Sequence, residues 1–229
     1  MTKRVNRVWG SLSLALTIST FVPSEPLVAE GIEPSSPRWE KAIQAFEASD
    51  KSNPVEANST LFIGSSSIRM WKTLASDFPN LKVINRGFGG SQIIDSIFFA
   101  SRIVIPYAPE KIFLYAGDND IAAGKSAETV LKDFRLFATM VHQSLPDTEV
   151  YFLAIKPSLK RWSLAAEMKK ANGLVAHYTN QVENLGYVDV WTPMLEAAGK
   201  PDPALFIQDG LHMNSAGYKV WAEAVRPFL

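Results

Sequence analysis

"FIGSSSIRMW", Phe62 to Trp71, sets three serines behind an apolar run and a glycine. Thr60 to Ile63 is continuously apolar rather than alternating, the pattern of a strand buried on both faces. Gly64 ends it, and the serines follow at a strand-to-helix turn. Such a cluster can be a polar turn, a phosphate cradle or the seat of a nucleophile.

The same pattern recurs outward from this stretch. Leu81 to Ile84 reads as a strand ending in "NRGFGGS", Lys111 to Ala116 as one ending in "GDND", and Glu149 to Ile155 as one ending in "KPS". Tyr187 to Val190 is a fifth. Helical periodicity fills the gaps. Trp39, Ala42, Ile43 and Phe46 share a face, Ser91 and Ser126 stand as caps, a long helix spans about 161–183, and Asn214 or Ser215 opens a last one. Short apolar strands separated by helices are the signature of an α/β chain with a parallel sheet covered on both sides. In such sheets ligands meet the carboxyl ends of the strands, where all the polar clusters fall.

Composition bounds the partners. The 229 residues are 47% hydrophobic and carry 23 basic and 23 acidic side chains, so no nucleic-acid footprint is expected. There is no cysteine, which excludes thiol chemistry. Lys3, Arg4 and Arg7 precede an uncharged, mostly apolar run from Val8 to Val22, with Pro23, Pro26 and Ala29 after it. We read residues 1–29 as a signal peptide, 30–37 as a linker and 38–229 as one domain, and expect export to the periplasm or medium. The mature chain should make no integral membrane contact.

The motifs are weighed by what each chemistry requires. A dinucleotide fingerprint would need glycine at Gln92, and no Lys-Ser or Lys-Thr closes a phosphate loop. His142, His177 and His212 lack a second histidine at ligand spacing, so no metal is expected. The GxSxG elbow fits Gly64 and Ser66 but fails at Ile68. A nucleophile at a strand-to-helix turn still needs a histidine base steadied by a carboxylate. Only His212 has that setting, with Asp209 three residues earlier in "DGLH".

Four blocks in order, "FIGSSSI", "NRGFGG", "GDND" and "DGLH", resemble those of the SGNH (GDSL-type) hydrolase family. The resemblance implies a three-layer α/β/α, flavodoxin-like fold with a five-stranded parallel sheet. It implies Ser66 as nucleophile, with Ser65 standing where most members have Asp. It further implies His212 and Asp209 as base and orienting acid, an oxyanion hole of Ser66, Gly90 and Asn119, and no cofactor. The function expected is an exported serine esterase acting on a small-molecule ester of short acyl length or an acetylated carbohydrate. An acyltransferase with the same triad and a lysophospholipase-like lipid esterase are alternatives, and a non-catalytic binding module is a third. Arg69, Arg86 and Trp162 are substrate-side candidates. The plainer expectation is that both arginines pair with Asp95, Asp118 or Asp120, and that Trp162 packs.

Overall fold

In the computed structural model, which describes residues 32–229, five strands form one parallel sheet. They are β1 (Thr60–Gly64), β2 (Val83–Gly87), β3 (Lys111–Tyr115), β4 (Glu149–Leu153) and β5 (Leu185–Val188). The helices are α1 (Glu40–Ser52), α2 (Ser66–Arg69), α3 (Leu74–Asp77), α4 (Ile93–Ile103), α5 (Asp118–Ala122), α6 (Ala127–Ser144), α7 (Ala165–Thr179) and α8 (Ser215–Val225). The signal peptide expected over 1–29 lies outside the described residues, as do the first two linker positions. The rest of the linker is anchored: Ser35 donates its N–H and hydroxyl to the Asp95 carboxylate at 2.6 and 2.8 Å.

The strand order is β2-β1-β3-β4-β5, all parallel. This is the flavodoxin-like order, and the chain reverses direction across the sheet between β1 and β3. The carboxyl ends of those two strands therefore open a crevice. Gly64 and Tyr115 are register partners at its mouth.

Alternation along the strands makes two cores. Phe62, Phe113 and Tyr151 are in register on one face and stack at 4.9 Å spacings. Trp71, Phe78 and Trp221 join that side through edge contacts. On the other face Phe152 meets Phe134 of α6, and α6 packs on both α4 and α7. Helix layers thus cover both sides: β1 is buried throughout, no strand residue is exposed, and only the edge strand β5 is mostly half-buried.

The observed boundaries differ locally from those expected. β2 runs on through Asn85 and Arg86, because both side chains find internal partners: Asn85 Nδ2 donates to the Ile68 carbonyl at 2.7 Å, and Arg86 Nε to Tyr107 Oη at 2.9 Å. β5 stops at Val188 because the Asp189 carboxylate accepts the N–H groups of Trp191 and Thr192 and turns the chain. Helix α4 is capped by Gln92 with Asp95, not by Ser91. The stretch expected as one helix over 161–183 is a 3-10 turn, Trp162–Leu164, followed by the shorter α7.

Candidate active site

Gly64 turns the chain out of β1 with φ of +136°, where any Cβ would stand 1.9 Å from the Tyr115 carbonyl oxygen. Only glycine permits that approach. Ser65 then donates its N–H to the same carbonyl at 3.0 Å and takes an extended conformation, so that Ser66 is the first residue of α2. Ser65 and Ser67 are buried, and Ser66 is half-buried. Of the three serines, Ser66 is the one whose hydroxyl meets the histidine.

That histidine comes from the segment before α8. Asn214 caps α8 by accepting from the Ala216 and Gly217 N–H groups, and its amide donates to the carbonyls of Ala204 and Phe206. The Ile207 N–H bonds the His212 carbonyl at 2.9 Å. These bonds hold the 205–213 loop across the end of the sheet. His212 Nε2 lies 2.9 Å from Ser66 Oγ, and His212 Nδ1 lies 2.6 Å from Asp209 Oδ2.

The other Asp209 oxygen accepts the N–H groups of Leu211 and His212, both at 2.9 Å. Burial alone would raise the Asp209 carboxyl. The bonds from the His212 side chain and from these two N–H groups outweigh it and bring the carboxyl down to about 2. An ionised carboxylate can only accept, so Nδ1 carries the imidazole proton and Nε2 presents its lone pair to the Ser66 hydroxyl.

The segments that carry the other expected donors are tied to this turn and to each other. The loop after β2 is pinned beside Ser66 by Phe88 N–H to the Gly64 carbonyl at 2.9 Å. Gly90 there has φ of +83°. Among the described residues, the Ser66 and Gly90 N–H groups have no protein acceptor. Asn119, on the first turn of α5, gives one amide hydrogen to the Ser91 carbonyl at 2.9 Å, which leaves its second free.

One residue fixes the Asn119 amide. Arg161 Nη1 and Nη2 both donate to Asn119 Oδ1 at 3.1 Å, and Nη1 also pairs with Asp118 at 2.6 Å. A guanidinium has no acceptor, so this fork turns the amide oxygen away and the NH₂ toward the Gly90–Ser91 loop. Beneath it lies Lys156, fully buried, its Nζ 3.8 Å from Asp118 and without a hydrogen-bond partner among the described residues. Burial pushes the Lys156 ammonium down, against the pull of Asp118. Neither Arg161 nor Lys156 was singled out in the sequence. The available signal was their place in "KPSLKRW", directly after a parallel strand.

The expected arginine pairings are overturned. Arg86 pairs with Asp50 and Tyr107 and lies over the Phe46 ring. The pleat puts Arg86 on the face covered by α1, where Asp50 and Tyr107 take its guanidinium. Asp118 binds Arg161 and Lys156, and Asp120 binds Lys125 at 3.0 Å. Arg69 pairs with no carboxylate among the described residues. Trp162 stacks on Trp191 at 6.0 Å and meets Lys200, so its contacts are of the packing kind. His142 bonds the Thr148 carbonyl and His177 bonds Gln181, both remote from Ser66 in the fold.

The fold has known counterparts. A Streptococcus pneumonia protein provisionally named a platelet activating factor aligns with a TM-score of 0.73 at 22% identity, over 82% of this chain and 91% of its own. A GDSL-like lipase from Bacteroides thetaiotaomicron aligns with 0.67 at 19% identity, over 82% and 98%. A mutant of Axe2, an acetylxylan esterase from Geobacillus stearothermophilus, aligns with 0.62 at 16% identity, over 75% and 94%. No curated protein matches the chain. Residues 63–220 match the GDSL-like Lipase/Acylhydrolase family, and the chain belongs to that family of SGNH hydrolases.

Proposed function

We propose that the protein is an exported serine esterase that cleaves carboxylic esters of short acyl groups, with acetylated carbohydrates among its substrates. The observation that carries this is the line Ser66–His212–Asp209, at 2.9 and 2.6 Å, beside two N–H groups without acceptors. Ser66 Oγ attacks the ester carbonyl while its proton passes to His212 Nε2. The oxygen that becomes negative is held by the Ser66 and Gly90 N–H groups and by the free Asn119 amide hydrogen. Each such donor is worth a factor of about 10²–10³ in rate. The tetrahedral adduct collapses to acyl-Ser66, and the alcohol departs with the proton from His212. Water then attacks the acyl group as it gives a proton to His212, and the adduct releases the carboxylic acid as His212 returns that proton to Ser66 Oγ. Asp209 stays ionised throughout and steadies the imidazolium.

The acetylated-carbohydrate reading draws on the likeness in fold to an acetylxylan esterase. Export draws on the basic and apolar pattern of the first 29 residues. An acyltransferase, in which an alcohol replaces water in the second step, uses the same groups. Adding an alcohol acceptor and measuring transfer against hydrolysis separates the two. The reading itself is tested with a fluorophosphonate probe: a single adduct mapping to Ser66 is expected. A chain that is not labelled, or is labelled elsewhere, defeats it.

A further inference from the structure

The glycine loop beside Ser66 is bracketed by two guanidinium groups. Arg69 lies three positions after Ser66 on the single turn of α2. Its Nε and Nη2 stand 2.7 and 2.9 Å from where a Cβ on Gly89 would be. Arg38 reaches the next position, its Nη2 2.8 Å from where a Cβ on Gly90 would be, with its guanidinium over the Trp39 ring at 3.9 Å. Two consecutive residues without side chains thus leave room for two cations at the rim of the proposed oxyanion site. Both arginines are exposed.

Around them the carboxylates are committed. Asp209 is bound to His212 and Asp118 to Arg161. Asp120 is bound to Lys125, and Asp95 accepts from Ser35 and from the Gln92 N–H. Neither Arg69 nor Arg38 has a carboxylate within ion-pair distance among the described residues. The sequence as a whole has no net charge, so this is a local excess.

We propose that Arg69 and Arg38 form a subsite for an anionic group, a carboxylate, sulfonate or phosphate ester, carried by the ester substrate. This rests on the esterase reading of Ser66 and narrows its substrate class. Planar forks of N–H donors suit such oxyanions, and an unbalanced positive rim raises the local concentration of an anionic substrate. The anion can sit on the alcohol or on the acyl side of the scissile bond, and matched pairs of esters tell these apart.

The alcohol-side pair is 4-acetoxybenzenesulfonate against 4-acetoxybenzenesulfonamide. The acyl-side pair is 4-nitrophenyl hydrogen adipate against its methyl ester. In one pair the anion should show about tenfold higher kcat/KM at low ionic strength, a preference that fades in about 0.5 M salt. In Arg69→Gln, and further in Arg69→Gln/Arg38→Gln, the anionic-to-neutral ratio should fall toward one. Lys170→Gln, whose partner is the distant Glu128, should leave the ratio as it was. Equal use of both members in both pairs, or a ratio that survives the double substitution, overturns the subsite while leaving the esterase intact. If none of the four esters is hydrolysed, the esterase reading fails, and calorimetry with the sulfonate and the sulfonamide still decides the subsite. Tighter sulfonate binding that is lost in Arg69→Gln supports it, and equal binding of the two overturns it.

Discussion

Ser66 Oγ and His212 Nε2 stand 2.9 Å apart although 146 residues separate them along the chain. Two anchors make this possible: the β1–α2 turn behind Gly64 and the loop tied down by Asn214. The neighbouring Ser67 is held differently, its carbonyl accepting from Tyr218 Oη at 2.9 Å. Ser66→Ala should therefore lower kcat on an activated ester by about 10⁵–10⁶. Ser65→Ala and Ser67→Ala should retain most of the activity. Loss in Ser67→Ala with survival in Ser66→Ala would move the nucleophile by one residue.

Asp209→Asn tests the orienting carboxylate. The substituted side chain can still accept the Leu211 and His212 N–H bonds, so the loop should keep its shape. Its amide NH₂ facing Nδ1 would favour the wrong tautomer, and kcat should fall by about 10²–10⁴. In the unaltered enzyme the Asp209 carboxyl, held at about 2, keeps its charge above about pH 3. Acid loss of activity above that pH should therefore persist, on a lower plateau, in Asp209→Asn. A pH–rate profile of both proteins checks it, and disappearance of the acid limb would assign that limb to Asp209.

Arg161 should act through Asn119. Arg161→Ala frees the Asn119 amide to rotate, and kcat should drop by about 10- to 100-fold with KM little changed. Asn119→Ala should cost at least as much. The double variant should be no worse than Asn119→Ala alone, since the two losses are one. Arg161→Lys keeps a cation for Asp118 but loses the fork and should recover only part of the rate. Additive losses would give Arg161 a separate role.

Lys156 bears on stability. Burial lowers its ammonium below the ordinary 10.5, so between the lowered value and 10.5 the unfolded chain binds more protons than the native one. Stability contributed at this site thus rises with pH across that window. Lys156→Met removes the buried charge and leaves Asp118 paired with Arg161. Melting temperature at pH 7 should rise by about 2–4 °C, and the difference from wild type should be smaller at about pH 10. Calorimetric melts at both pH values measure it. A less stable variant at pH 7 would make the Lys156–Asp118 contact a net gain.

The acyl preference follows from which apolar side chains face outward near His212. Leu205 and Phe206 are buried beneath α8, whereas Ile207 and Leu159 are exposed at 42% and 43%. Two partly open side chains can cover few methylenes, each worth about 0.8 kcal/mol when buried. Specificity constants should be higher for p-nitrophenyl acetate or butyrate than for palmitate dispersed in detergent. Palmitate as the best substrate would replace the short-acyl reading with a lipase one.

The strand runs, their parallel class and the four polar blocks were legible in the sequence because they are local signals. Apolar period and breaker residues act within a few positions. The four blocks, through their resemblance to the SGNH family, further pointed to Ser66, Asp209, His212, Gly90 and Asn119. The partners of the charged side chains were not legible. Arg86 lies one residue from the glycine block, yet the pleat turns it to Asp50, 36 positions away. Arg161 looked like one cation among several in a loop, yet the sheet order β1-β3-β4 sets it against Asn119, 42 positions distant. Ion pairs and amide orientation depend on which side chains the crossovers bring within about 4 Å, a condition that only the assembled layers fix.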